Sequence, residues 1–163
     1  MTPDGSRIIT TTADGDGGIW DAHTGAQIAP FAGHTWNYGL RGYVTARGQF
    51  SPDGSRYLAR GDDGLLHAWD THTGVALVRF DVDEIGGVYS PDGSRIATHA
   101  GLNISLWDAE SGALLGATQL RSGGMPPLAG ILEMTFGHGG ERIYASGGGR
   151  LIEWNIGAMR RGH

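Results

Sequence analysis

Apolar residues along the chain fall into short runs of strand length, broken by clusters of Pro, Asp, Gly and Ser. The pattern is fullest from Phe50 to Gly74, FSPDGSRYLARGDDGLLHAWDTHTG. There three turn signals, Pro52-Asp53-Gly54, Asp62-Asp63-Gly64 and Asp70 through Thr73-Gly74, flank the runs Arg56 to Arg60 and Leu65 to Trp69. Both runs are too short for helices. Asp-Gly permits the positive φ of a tight hairpin and Pro presets the first φ of a turn, so each signal reads as a chain reversal between antiparallel strands. The unit is therefore a small β-meander. The same reading predicts strands Ile8 to Thr12, Gly17 to Trp20 and Gln27 to Phe31, with Ala13 to Asp16 as a hairpin, and Tyr43 to Phe50 leading into the meander. After it come Ala76 to Val82, Ile85 to Tyr89, Leu114 to Leu120, Ile131 to Phe136, Arg142 to Ser146 and Arg150 to Trp154. No stretch reads as a helix.

The punctuation repeats. Pro3-Asp4-Gly5 opens a copy closed by Trp20-Asp21 and Thr24-Gly25; Pro91-Asp92-Gly93 opens one closed by Trp107-Asp108 and Ser111-Gly112. A weaker copy runs from Phe136 through Gly139-Gly140 to Trp154, with Asn155 in place of the aspartate. Tryptophans at 20, 69, 107 and 154 lie 49, 38 and 47 residues apart, near the period of a propeller blade. In these turns, Trp-Asp dipeptides and Asp-x-x-Thr/Ser-Gly closings the chain resembles the WD-repeat family of β-propellers. The resemblance implies an all-β fold, one propeller segment spanning 1–163, with four antiparallel blades near 1–32, 43–82, 85–120 and 131–156. Thr2 stands where Ser51 and Ser90 stand, so the first blade is expected to lack its inner strand, and no outer strand is recognisable for the last. An open arc, or half ring, is the expectation.

In that family a Gly-His pair, a hydroxyl on the second strand, a hairpin aspartate and the tryptophan form a buried network. Carried over, His34, Asp63 and Trp69 match in the second copy, but the hydroxyl position falls on Ala59. The first copy offers Thr10, Asp14 and Trp20, the third Thr98 and Trp107, the fourth Ser146 and Trp154. No copy is complete, and a half-satisfied buried network is costly.

Composition narrows the functions. A chain of 163 residues can bury roughly 70% of its unfolded surface, enough for one domain. The 30 glycines sit at turn positions inside a repeat and do not signal disorder. Absence of cysteine removes disulfides, thiolate metal sites and cysteine nucleophiles, and fits a reducing, cytoplasmic setting. No apolar run reaches membrane-span length and no leader is visible. A net charge of −5 disfavours a nucleic-acid partner. All twelve basic residues are arginine, so lysine chemistry is excluded.

Motifs that suggest chemistry have simpler readings. Asp14-Gly15-Asp16-Gly17 lacks the glutamate a calcium loop needs, since Gly25 stands at the twelfth position. Arg60-Gly61-Asp62 spells an adhesion tripeptide but fills a hairpin slot of the repeat. His23 and His72 match between closing turns, yet Glu110 stands at the third site, so they read as solvated turn residues. No Gly-x-Ser-x-Gly elbow or nucleotide-binding glycine pattern is present, and no cofactor or metal is expected. In quinone-cofactor propellers the Asp-x-x-Thr-Gly turn precedes the tryptophan; here the order is reversed.

What the repeat does not explain lies in two connections. Trp36, Tyr38, Arg41, Tyr43 and Arg47 enrich the first in hot-spot residue types; Trp36 reads equally as a cap on the inner strands, and Tyr43 reads first as ordinary strand core. The second, Arg121 to Gly130, contains Met125 and Pro126-Pro127. The expected function is a non-catalytic protein-interaction scaffold, part of a larger bacterial signalling or regulatory WD-repeat protein, with Trp36, Tyr38, Arg41, Tyr43 and Met125 facing a protein partner. The alternative is a ligand-binding or accessory propeller of an enzyme, quinoprotein-like or hydrolase-associated. If the chain stands alone, a homodimer completing an eight-blade ring is expected.

Overall fold

A computed structural model describes residues 1–11, 17–31, 48–61, 63–82, 87–100, 103–119, 133–147 and 150–158. Fourteen strands run in chain order among these: β1 Arg7–Thr11, β2 Gly17–Asp21, β3 Gln27–Pro30, β4 Gln49–Phe50, β5 Arg56–Arg60, β6 Leu66–Asp70, β7 Ala76–Phe80, β8 Gly87–Tyr89, β9 Arg95–Ala100, β10 Asn103–Asp108, β11 Leu114–Gln119, β12 Glu133–Phe136, β13 Arg142–Gly147 and β14 Arg150–Asn155. The chain is all-β, and every strand pairing is antiparallel. The strands form four separate sheets: I (β1-β2-β3), II (β4-β5-β6-β7), III (β8-β9-β10-β11) and IV (β12-β13-β14).

Most predicted strands are found within two residues of their expected ends. Ala76 to Val82 stops at Phe80, where the Val82 N–H turns back to the Phe80 carbonyl at 2.8 Å. Among the described residues there is no α-helix, as expected, and one 3-10 turn, Ile156–Ala158, follows β14. Of Tyr43 to Phe50, residues 43–47 lie outside the described residues and strand pairing begins at Gln49. Among the described residues, sheets I and IV have three strands each, sheet I lacking the counterpart of β4 and sheet IV that of β7.

Turn chemistry explains the repetition. In the opening turns the N–H of Gly5, Gly54, Gly93 and Gly140 donates to the carbonyl three residues back at 2.9 Å, and each of these glycines has φ between 69° and 75°. Only a residue without Cβ adopts that conformation freely. Gly74 meets a second constraint, since a Cβ there would collide with the Pro30 carbonyl oxygen.

The chain divides into two compact units, Met1–Gly86 and Gly87–His163. Antiparallel register places directly paired residues on one face of a sheet, so every sheet has a face that carries its tryptophan and an opposite face. In the first unit the opposite face of sheet I (Ile9, Ile19, Ala29, Phe31) packs on the tryptophan face of sheet II (Tyr57, Ala59, Trp69). Phe31 meets Trp69 edge-on at 5.1 Å and Tyr57 at 5.8 Å. Within the second unit the opposite face of sheet III (Val88, Ala97, Ile104, Leu106) packs in the same sense on the tryptophan face of sheet IV (Met134, Phe136, Ile143, Ala145, Trp154).

Candidate functional site

Each repeat fixes its loops with carboxylates that are consumed locally. In the second opening turn the Ser51 hydroxyl donates to Asp53 Oδ1 at 2.5 Å, the Ser55 N–H at 3.0 Å and the Ser55 hydroxyl to Oδ2 at 2.8 Å. Thr2, Asp4 and Ser6 repeat this arrangement, as do Ser90, Asp92 and Ser94. Closing turns use a second device. Asp21 Oδ1 accepts from the N–H of His23 and of Thr24 and from the Thr24 hydroxyl; Asp70 does so with His72 and Thr73, and Asp108 with Glu110 and Ser111.

Charge follows from this geometry. The Thr2 hydroxyl and the Ser6 donors hold Asp4 at about 2, and Ser90 with Ser94 does the same for Asp92. Asp53 is lowered chiefly by Ser51, Asp21 by the Thr24 N–H and Asp108 by the Ser111 hydroxyl. Burial opposes the change at Asp70, but the Thr73 and His72 N–H donors outweigh it. Carboxylates held this way are ionised and accept several donors from their own turns, which suits them to fixing loops and ill suits them to moving protons near neutral pH.

The tryptophans differ from sheet to sheet. Trp107 Nε1 donates to Thr98 Oγ1 at 2.8 Å in sheet III, and Trp20 Nε1 to Thr10 Oγ1 at 2.7 Å in sheet I. In each case the hydroxyl lies two residues beyond the tryptophan's direct partner, Ile96 or Ile8. Sheet II has Ala59 at that place, and Trp69 Nε1, on a residue only 5% exposed, finds no acceptor. Sheet IV corrects an expectation: Trp154 pairs with Ile143, so Ala145 occupies the hydroxyl position, while Ser146 pairs with Leu151 on the other face. No hydrogen bond joins Ser146 to Trp154.

Asp63 also stands differently from the family network. His67 Nε2 lies 2.9 Å and 3.1 Å from its two carboxylate oxygens, and the Leu65 N–H donates to it at 3.0 Å. The Leu65 donor first, then His67, lower Asp63 below the usual carboxylate range. The His67 ring is 5.5 Å from that of Trp69 and is paired in register with Ala59. Sequence reasoning missed His67; the signal was its place two residues before Trp69, on the same face of the strand. Gly61 belongs to this corner, since a Cβ there would press on the His67 ring and on Asp63.

A tie joins the two sheets of the first unit. Arg7 of β1 reaches the closing turn of sheet II, where its guanidinium donates to Thr71 Oγ1 at 3.3 Å and lies 2.7 Å from His72 Nε2. Thr71 is fully buried and donates to the Gly54 carbonyl at 2.7 Å.

Asp14, His34, Trp36, Tyr38, Arg41, Tyr43 and Met125 lie outside the described residues, as does Asp62 of the Arg-Gly-Asp tripeptide. Among the described residues no cluster of three or more His, Asp or Glu side chains converges as a metal site, and no helix is long and apolar enough to cross a membrane. No family model and no curated protein matches the chain.

Proposed function

We propose that the chain is a WD-repeat-type segment of β-propeller, its four sheets serving as blades, and that it works as a non-catalytic platform for another protein within a larger cytoplasmic, bacterial signalling or regulatory protein. The observation that carries this reading is the engagement of the turn carboxylates. Asp4, Asp21, Asp53, Asp70, Asp92 and Asp108 all accept several donors from their own turns. Polar chemistry is thereby devoted to a stiff, repeated frame, and recognition falls to connections that can vary without disturbing strands. The face-to-next-face packing in each unit supports the blade reading, because stacked repeats bury their apolar faces in one sense along the chain. In this reading Trp36, Tyr38, Arg41 and Tyr43 anchor the partner and Met125 extends the surface, since such side chains bury much area with little rotamer loss.

The test is a pair of measurements on Trp36→Ala. Binding to a protein captured by the unsubstituted chain should weaken by about 2 kcal/mol or more, while the urea midpoint of unfolding stays unchanged. Loss of stability with unaltered affinity would assign Trp36 to the core and remove the loop from the proposal.

A further inference from the structure

Arg7 lies on the face of β1 that meets sheet II, two residues before Ile9 in the apolar contact between the two sheets. Its guanidinium ends on two residues of the closing turn of sheet II, and the two differ in kind. Thr71 is a fixed partner. It is fully buried, its hydroxyl donates to the Gly54 carbonyl at 2.7 Å, and the oxygen keeps a lone pair for Arg7 Nη1 at 3.3 Å. His72 is a conditional partner. A guanidinium has donors only, so Nε2, 2.7 Å from Arg7 Nη2, is the lone-pair nitrogen and the ring proton sits on Nδ1. Arg7 Nη1 is 3.4 Å from Nδ1, too long to compete. Nδ1 has Asp70 Oδ1 at 4.0 Å.

Protonation reverses these preferences. An imidazolium has no lone pair to offer, sets a second positive charge against Arg7, and is drawn to the Asp70 carboxylate instead. The other charged groups of this corner are Asp4 in the turn before β1 and Asp21, paired with Arg7, on sheet I, and Asp53 and Arg56, the latter paired with Asp70, on sheet II. At the ring itself one cation and one anion compete, Arg7 for the neutral form and Asp70 for the charged one. His72 is exposed, so protons reach it from solvent.

We infer that His72 is a pH-operated latch between sheets I and II: neutral, it accepts from Arg7 and ties the sheets together; protonated, it releases Arg7 and turns to Asp70. Histidine is the side chain whose charge changes in the range of roughly pH 5 to 8. The latched form binds one proton fewer than the released form, so rising pH favours the latch and falling pH undoes it. Glu110 stands at the place of His72 in the closing turn of sheet III. A carboxylate at that place attracts an arginine throughout the same range, so the histidine, and not the turn that carries it, makes the tie conditional.

Two readouts on the full chain test the latch. Nitrogen-15 NMR of the His72 ring at about pH 8 should find the proton on Nδ1, the tautomer that Arg7 demands, and Arg7→Met should abolish that bias. A proton on Nε2 in the unsubstituted chain would overturn the inference, and this readout decides even where a variant does not fold. The second readout is a double-mutant cycle of Arg7→Met with His72→Ala in urea unfolding. The pair should couple by about two- to fivefold in the unfolding equilibrium constant at about pH 8, as exposed polar pairs do, and by nothing measurable at about pH 5. In His72→Glu the coupling to Arg7 should persist at both pH values. No coupling at the higher pH, or equal coupling at both with the histidine in place, would each overturn the latch.

Discussion

Ala59→Ser should stabilise the protein, because sheet II holds a buried indole donor that sheets I and III have satisfied. Trp69 is 5% exposed and its Nε1 has no acceptor, whereas the hydroxyls of Thr10 and Thr98 sit 2.7 Å and 2.8 Å from the equivalent nitrogens. A buried donor without a partner costs about 1–3 kcal/mol, and a new intramolecular hydrogen bond contributes about 0.5–1.5 kcal/mol net. Against this stands the extra oxygen at Ala59, which is 3% exposed and packed with Ile19, Phe31 and Trp69. Overpacking of a tight core costs about 1–3 kcal/mol for added methylenes, so serine is the better choice and threonine, with one more methyl group, the worse. A net gain of about 0.5–1.5 kcal/mol is expected for serine, read as a shift in urea midpoint. The decisive assay is a double-mutant cycle with Trp69→Phe, which keeps an aromatic ring but removes the donor. In that background the serine should confer no benefit. An equal gain with and without the indole nitrogen, or a loss in both backgrounds, refutes the reasoning.

Thr98→Val, nearly isosteric, should destabilise by about 1–3 kcal/mol by stranding Trp107 Nε1; an unchanged midpoint in urea would show that another acceptor takes over. Trp107→Ala should cost about 3–5 kcal/mol, as deletion of a large buried side chain does, and a midpoint within error of the unsubstituted chain would mean that the face is not a core. Acid should unfold the protein through its turns. Asp4 and Asp92 titrate at about 2 when folded, against 3.8 as free groups, so their contribution is complete above the higher value and disappears as pH falls toward the lower. The urea midpoint should therefore drop between about pH 4 and pH 2, less steeply in Asp92→Asn, and a flat profile across that window would exclude the turn carboxylates as the cause.

The strands, their order and the turns were legible because period-two patterning and Asp-Gly punctuation are local properties. Asp53, Asp70, Asp92 and Asp108 announce their roles by their spacing from Ser, Thr and Gly. Cross-strand chemistry was legible only where register could be counted from a turn. Ala59 was placed correctly as the missing hydroxyl, since the same opening turn precedes it and Thr98 by equal distances. In the fourth copy the same count, nine residues from Phe136 or five from Gly140, arrives at Ala145; Ser146 is one residue further, and in a strand one residue moves a side chain to the other face of the sheet. His67 escaped notice for a related reason: nothing in the sequence says that Asp63, four residues earlier across a hairpin, will meet it.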